Sequence, residues 1–280
     1  MASSARSGPL AAEARRAARR RARGAGRWWV WLLVVVALAL AGTVGALVAT
    51  GGGQTARERV AHEVGSLLAG IPAHGEMLGR PSAPVTLVFY GDLECLTTKH
   101  WVLGDLTAII RRYVRPGTMR IEFRAFKTDT HDSREFSAQQ TAALAAGAQD
   151  RLWPFIETFY FEQGVEYTPY VTESFLEGIA KQVPGLDLAR WHRDRDGGRR
   201  SELVAEEDQS ARALGFHDTP AFQLGPTGGS LKDFTGRQIV EFAKESHPVS
   251  LIDTQDIAAA LRHLGAKTSL QDSQSAVGHD

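Results

Sequence analysis

The longest apolar stretch of the chain runs from Trp28 to Thr50 (WWVWLLVVVALALAGTVGALVAT), 23 residues without a charge or a proline. At about 1.5 Å of rise per residue, about 20 such residues cross a hydrocarbon core of about 30 Å as a helix. The stretch is apolar on every face, so the pattern predicts a membrane-spanning helix. A glycine run, Gly51 to Gly53, then opens a linker that reaches residue 78 and contains a short helical stretch from Ala56 to Leu68. Val85 to Tyr90 (VTLVFY) is a short β-rich apolar run between Pro84 and Gly91-Asp92, the pattern of a buried strand. Val102, Leu103, Leu106, Ile109, Ile110 and Tyr113 recur at helical spacing until Pro116-Gly117 stops them. Thr118 to Phe126 (TMRIEFRAF) alternates apolar and polar positions with the period of a strand, which completes a β-α-β unit.

From about Ser133 to Leu214 no convincing strand pattern occurs; alanine-rich and amphipathic segments predict a helical insertion of about 80 residues. The segments TPAFQLG and SLKDFTG, joined through Gly228-Gly229, predict a β-hairpin. Two helices are expected to follow, near Arg237 to Glu245 and Thr254 to Leu264. The chain thus divides into a basic segment (1–27), a membrane helix (28–50), a linker with a short helix (51–78), a folded domain (79–266) with its insertion at about 133–214, and a polar tail (267–280).

Charge gives this division a direction. The chain has no formal net charge, but residues 1–27 carry eight arginines against one glutamate, a local +7 balanced by −7 over the remainder. The positive-inside rule then holds the N-terminus in the cytoplasm and places the domain on the far side of a plasma membrane, single-pass, with Trp28, Trp29 and Trp31 at the interface. An uncleaved signal anchor fits better than a cleavable signal peptide, whose apolar core usually spans about 7 to 15 residues. Ala46, Ala49 and the glycine run still leave a cleavage site open. The mildly acidic remainder has no basic stripe, which argues against nucleic acid as a partner.

Candidate chemistry is sparse. Nine histidines stand at no metal-ligand spacing, no phosphate-binding or nucleotide-binding glycine motif occurs, and no cofactor is expected. The single cysteine of the chain, Cys95, falls just after the first strand and at the start of the following helix (GDLECLTTKHW). A thiol at a helix N-terminus meets unpaired N–H groups and the positive end of the helix dipole, both of which favour the thiolate. Lys99 and His100 add positive charge one turn on, and Asp92 and Glu94 oppose them.

Four segments in order, GRPSAPVTLVFYGDLEC, FRAF, LWPFIETFYFEQ and ALGFHDTPAFQLG, resemble the DsbA-like branch of the thioredoxin superfamily over about residues 79 to 264. The resemblance implies an α/β thioredoxin fold with a helical insertion, Cys95 as the exposed nucleophile, and Pro220 as a cis-proline facing it. The backbone of Thr219 would then be a docking edge for an extended substrate. The family's C-x-x-C motif reads Cys95-Leu96-Thr97-Thr98 here, so Thr98 stands where the resolving cysteine would be. Internal dithiol chemistry is therefore closed to this chain alone. What remains is monothiol exchange, in which Cys95 attacks a disulfide of an exported protein, an external thiol releases the product, and the Thr98 hydroxyl donates to the Cys95 thiolate. The alternative is a redox-inactive binding or chaperone-like module on the same scaffold.

Overall fold

The computed structural model describes residues 56–240 and 249–265, without the side chains of 238–240. The chain divides between Glu58 and Arg59, and the part from Arg59 holds the sheet and the cysteine. The apolar run 28–50 lies outside the described residues, among which no helix is long and apolar enough to cross a membrane.

A helix over residues 56–68 (α1) precedes a six-stranded sheet whose spatial order is β1-β2-β4-β3-β5-β6. At its centre is β3 (Val85–Gly91), buried at all seven positions, which is why its sequence is apolar almost throughout. It pairs in parallel with β4 (Met119–Ala125), Val85 opposite Met119 and Gly91 opposite Ala125. On its other side it pairs antiparallel with β5 (Ala221–Pro226), Tyr90 opposite Ala221. The alternation in β4 divides its faces: Met119, Ile121, Phe123 and Ala125 are buried, and Arg120, Glu122 and Arg124 are half-buried. Glu122 takes Arg120 at 2.9 Å and Arg124 at 3.0 Å.

A parallel pair needs a crossover. Here it is α2 (Leu96–Trp101), continued by a π-helical stretch Val102–Leu106, the short α3 (Thr107–Ile109) and a second π stretch Ile110–Val114. Gly117 ends the connection with φ +85°, a conformation open to glycine without a Cβ clash. Trp101 fixes the first part of this connection. Its ring lies 4.8 Å from Phe89 and 4.7 Å from Phe222, and its Nε1 donates to the Ile252 carbonyl at 2.9 Å.

The insertion between β4 and β5 is helical, as its pattern predicts: α4 (Ser133–Gly147), α5 (Leu152–Glu162), α6 (Glu173–Gln182), α7 (Leu188–Asp196) and α8 (Arg199–Ala213). Asp132 caps α4 through the N–H groups of Arg134 and Glu135. The small side chains of α4 let α5, α7 and α8 pack closely, and Trp191 donates to the Ala142 carbonyl at 2.8 Å. Glu207 on α8 reaches back to the β4 end, accepting from Ala125 N–H at 2.7 Å.

Two local expectations differ from the fold. The stretch read as linker contributes β1 (Ala73–His74) and β2 (Met77–Leu78), a hairpin whose second strand pairs antiparallel with β4. The segment expected to be helical from Arg237 contains β7 (Gln238–Val240), paired antiparallel with β8 (Val249–Leu251); residues 241–248 lie outside the described part. The apolar pair Ile239-Val240 fits either period over so short a span, and pairing with a distant segment decided it. The predicted hairpin is β5 with β6 (Lys232–Asp233), and the final helix is α9 (Thr254–His263), closed at its N-terminus by a capping box on Asp253 and Asp256.

Candidate functional site

Gly91 ends β3, and the turn Asp92-Leu93-Glu94 delivers Cys95 to the N-cap of α2. The turn is held from several sides. Asp92, fully buried, accepts from the backbone N–H of Glu94, Thr128, Asp129 and Thr130 and from the Thr130 hydroxyl. It ties the loop after β4 to the turn before the cysteine. The turn's own carbonyls are taken as well: Gly91 by Gln140 at 3.2 Å, Asp92 by the Tyr160 hydroxyl at 3.1 Å, Leu93 by Gln163 at 2.8 Å. Pairing of this kind is what a buried turn requires.

The structure brings Cys95, Thr98, Thr219 and Pro220 together. Cys95 Sγ accepts from Thr98 N–H at 3.4 Å and donates to the Thr219 carbonyl at 3.3 Å. The Thr219–Pro220 peptide is cis. The Thr219 hydroxyl shares a 2.7 Å hydrogen bond with that of Thr128. Thr98 donates its backbone N–H; its buried hydroxyl makes no geometrically regular hydrogen bond among the described residues, yet the Thr98 side chain also acts on the sulfur to lower the thiol's pKa.

Exposure departs further from expectation. Cys95 has 0 % of its surface exposed, Thr219 1 %, and the carbonyl that would form a docking edge is already taken by the thiol. Burial pushes the Cys95 thiol well above its ordinary value, and the charge of Asp129 adds to the rise. Contacts from Thr219 and Thr98 oppose it. The helix N-terminus contributes up to about 2 kcal/mol to an anion in favourable geometry, whereas desolvating an unpaired charge costs several kcal/mol. Desolvation therefore wins, and the sulfur sits as a thiol donating to a carbonyl. Lys99 does not offset this, because its Nζ donates to the Gln163 carbonyl at 3.3 Å. Burial lowers the Lys99 pKa.

In the sequence Asp92 and Glu94 stand out only as charges that oppose Lys99 and His100. Their role is structural. Glu94 is buried, accepts from Gln139 Nε2 at 3.2 Å, and is pushed up by burial to about 7. Gln139, Gln163, Thr128 and Glu166 were not anticipated at all, and no local pattern could have found them, since each reaches the turn from a distant segment. Among the described residues no group of three or more His, Cys, Asp or Glu side chains is placed to hold a metal ion.

Comparison with known proteins places this arrangement. A family model described as Thioredoxin matches residues 73–227, more than half of the chain. The chain is 26 % identical over 147 residues to the probable disulfide bond formation protein D of Bacillus anthracis, covering 52 % of this chain and 67 % of that one. The protein of the same description in Bacillus cereus is 25 % identical over 147 residues, with 52 % and 68 % covered. In structure the chain is similar to oxidised BdbD from Bacillus subtilis, with a TM-score of 0.53 at 17 % identity over 68 % of this chain and 91 % of that one. It is also similar to alpha-DsbA1 of Wolbachia pipientis, TM-score 0.53 at 17 % identity over 73 % and 95 %. With a central β3 between a parallel β4 and an antiparallel β5, a helical insertion, and a cysteine at the α2 N-cap beside Thr219–Pro220, the chain belongs to the thioredoxin family, with a fold like that of the DsbA structures it matches.

Proposed function

We propose that the chain carries out monothiol thiol–disulfide exchange on exported proteins through Cys95, from a domain held at the outer face of a plasma membrane by residues 28–50. The observation that carries this reading is the approach of Cys95 Sγ to within 3.3 Å of the Thr219 carbonyl at the cis peptide, which puts the sole thiol beside the backbone a substrate strand would pair with. A cavity of about 190 Å³ lined by Phe216, His217, Pro220, Phe222, Phe234 and Val249 on the Pro220 side supports it as a place for a substrate side chain.

In the first step the Cys95 thiol, once uncovered, gives up its proton to solvent, and the thiolate attacks one sulfur of a substrate disulfide. A Cys95–substrate S–S bond forms, the substrate S–S bond breaks, and the departing thiolate takes a proton. In the second step the thiolate of an external thiol attacks the substrate sulfur of the mixed disulfide. The new disulfide leaves and the Cys95 thiol is restored. No net electrons stay on the protein, as the absence of a second cysteine requires.

The test is incubation of the full-length protein with a peptide carrying a mixed disulfide to an aromatic thiol. Mass spectrometry should find the peptide on Cys95, excess glutathione should remove it, and Cys95→Ser should carry none. Lack of any adduct over hours sinks the exchange reading. The burial of Cys95 favours the second reading, a redox-inactive binding module, for which such a peptide would bind without forming an adduct.

A further inference from the structure

Between α5 and α6 the chain crosses the cysteine in a short strap, Gln163 to Thr168, whose hydrogen bonds close on both sides of it. On the α2 side, Gln163 Nε2 donates to the Cys95 carbonyl at 3.3 Å and Glu166 Oε1 accepts from the Leu96 N–H at 3.0 Å. On the opposite side, the Tyr167 hydroxyl donates to Asp129 Oδ1 at 3.1 Å. Asp129 adjoins Thr128, whose hydroxyl bonds that of Thr219, the residue whose carbonyl accepts from the Cys95 thiol. A tie thus runs from the helix start, over the strap, to the cis peptide.

The strap is held in a conformation it would not choose alone. Tyr167 has φ +62°, in the left-handed region that an aromatic residue seldom occupies. Val165 is 74 % and Tyr167 49 % exposed, so little apolar burial holds the segment down. Polar contacts at its edges tie it to α2 and to Asp129, and Cys95 beside these ties is fully buried.

We propose that this strap is a gate: Glu166 and Tyr167 hold Cys95 covered, and the thiol reacts only when they are displaced. The carboxylate of Glu166 occupies the first N–H of α2, next to the sulfur, where a developing thiolate would otherwise be stabilised. Any incoming disulfide has to break the Glu166–Leu96 and Tyr167–Asp129 bonds before its sulfur can meet Sγ. The gate rests on the exchange reading, but it concerns when Cys95 reacts rather than what it reacts with.

The experiment measures the rate at which the full-length protein is modified at Cys95 by 5,5′-dithiobis(2-nitrobenzoate), followed by release of the coloured thiolate. Wild type is compared with Glu166→Ala, Tyr167→Phe and Glu166→Gln, all of confirmed native circular dichroism and melting temperature. Glu166→Gln keeps an oxygen to accept from Leu96 and should stay within about threefold of wild type. Glu166→Ala and Tyr167→Phe each remove one tie and should react about tenfold faster, the effect of losing one hydrogen bond to a charged group. Tyr167→Phe is nearly isosteric and serves if the alanine variant is unstable. Equal measurable rates in wild type and in the opened variants overturn the gate and leave exchange standing. No reaction in any of them overturns the gate and the exchange reading together.

Discussion

Replacing Glu157 by glutamine should change how stability depends on pH, by an amount the burial of this residue sets. Glu157 lies on α5 with 1 % of its surface exposed, and its Oε1 has no hydrogen-bond partner among the described residues. Burial alone pushes its pKa from 4.5 to about 8. Because the folded value lies above the unfolded one, the bound proton contributes stability that is complete below about pH 4.5 and is lost as pH rises through about 8. At about 1.36 kcal/mol per unit, the contribution falls by about 3 kcal/mol between about pH 5 and about pH 8. Glutamine has the same shape and no proton to lose. The cost of its buried amide is the same at both pH values and cancels in the comparison, as do the slopes of the other buried acids, Glu94 and Glu207. Urea unfolding of the full-length protein in a mild nonionic detergent, followed by tryptophan fluorescence at the two pH values, gives the four free energies. The variant should gain about 3 kcal/mol on wild type from the lower to the higher pH. A gain under about 0.5 kcal/mol would mean that the carboxyl ionises in the fold without penalty, which would refute desolvation as the force acting on it.

Three further outcomes are expected of the site. Alkylation of Cys95 by iodoacetamide should rise about tenfold per pH unit to at least about pH 9, because only the thiolate reacts and burial raises the thiol's pKa; a plateau near neutral pH would contradict that. Asp92→Ala leaves the N–H groups of Glu94, Thr128, Asp129 and Thr130 without their acceptor and should cost about 3 to 5 kcal/mol in unfolding free energy, against which a loss under about 1 kcal/mol would count decisively. Thr98→Cys places a second sulfur one helical turn from Cys95, whose Sγ already lies 3.4 Å from the residue 98 nitrogen. It should form an internal disulfide and gain insulin-reducing activity, and a variant that stays fully reduced in air would show that the turn cannot accept a dithiol.

Much of the scaffold was legible because its signals are local. The unbroken apolar run of β3 and the strict alternation of β4 encode, respectively, a strand covered on both faces and one covered on a single face. The long alanine-rich and amphipathic span could only be helices. By contrast, β1, β2 and β7 have two or three residues each, too short for any periodicity, and exist only because a partner strand accepts their hydrogen bonds. The candidate site divides in the same way. Cys95, Thr98, Thr219 and Pro220 were found from position and motif, and the structure gathers them. Glu166, Gln163 and Asp129, which close the site, come from the segment after α5 and the loop after β4.

What the sequence alone determined is the order of the main elements and the address of the one cysteine at a strand-to-helix turn, with Thr98 three residues on where the resembled family has a second cysteine. Tertiary structure decided the ionisation of that cysteine. From sequence, the helix start, Lys99 and His100 favour a thiolate and Asp92 and Glu94 oppose it, which leaves the sum open. In the fold the carbonyl of Thr219, 124 residues away, takes the proton's hydrogen bond, and full burial outweighs the helix terminus. The physical reason is that a helix dipole can be inferred from neighbours in the chain, while desolvation depends on everything that packs over a group, and those residues are brought there only by folding.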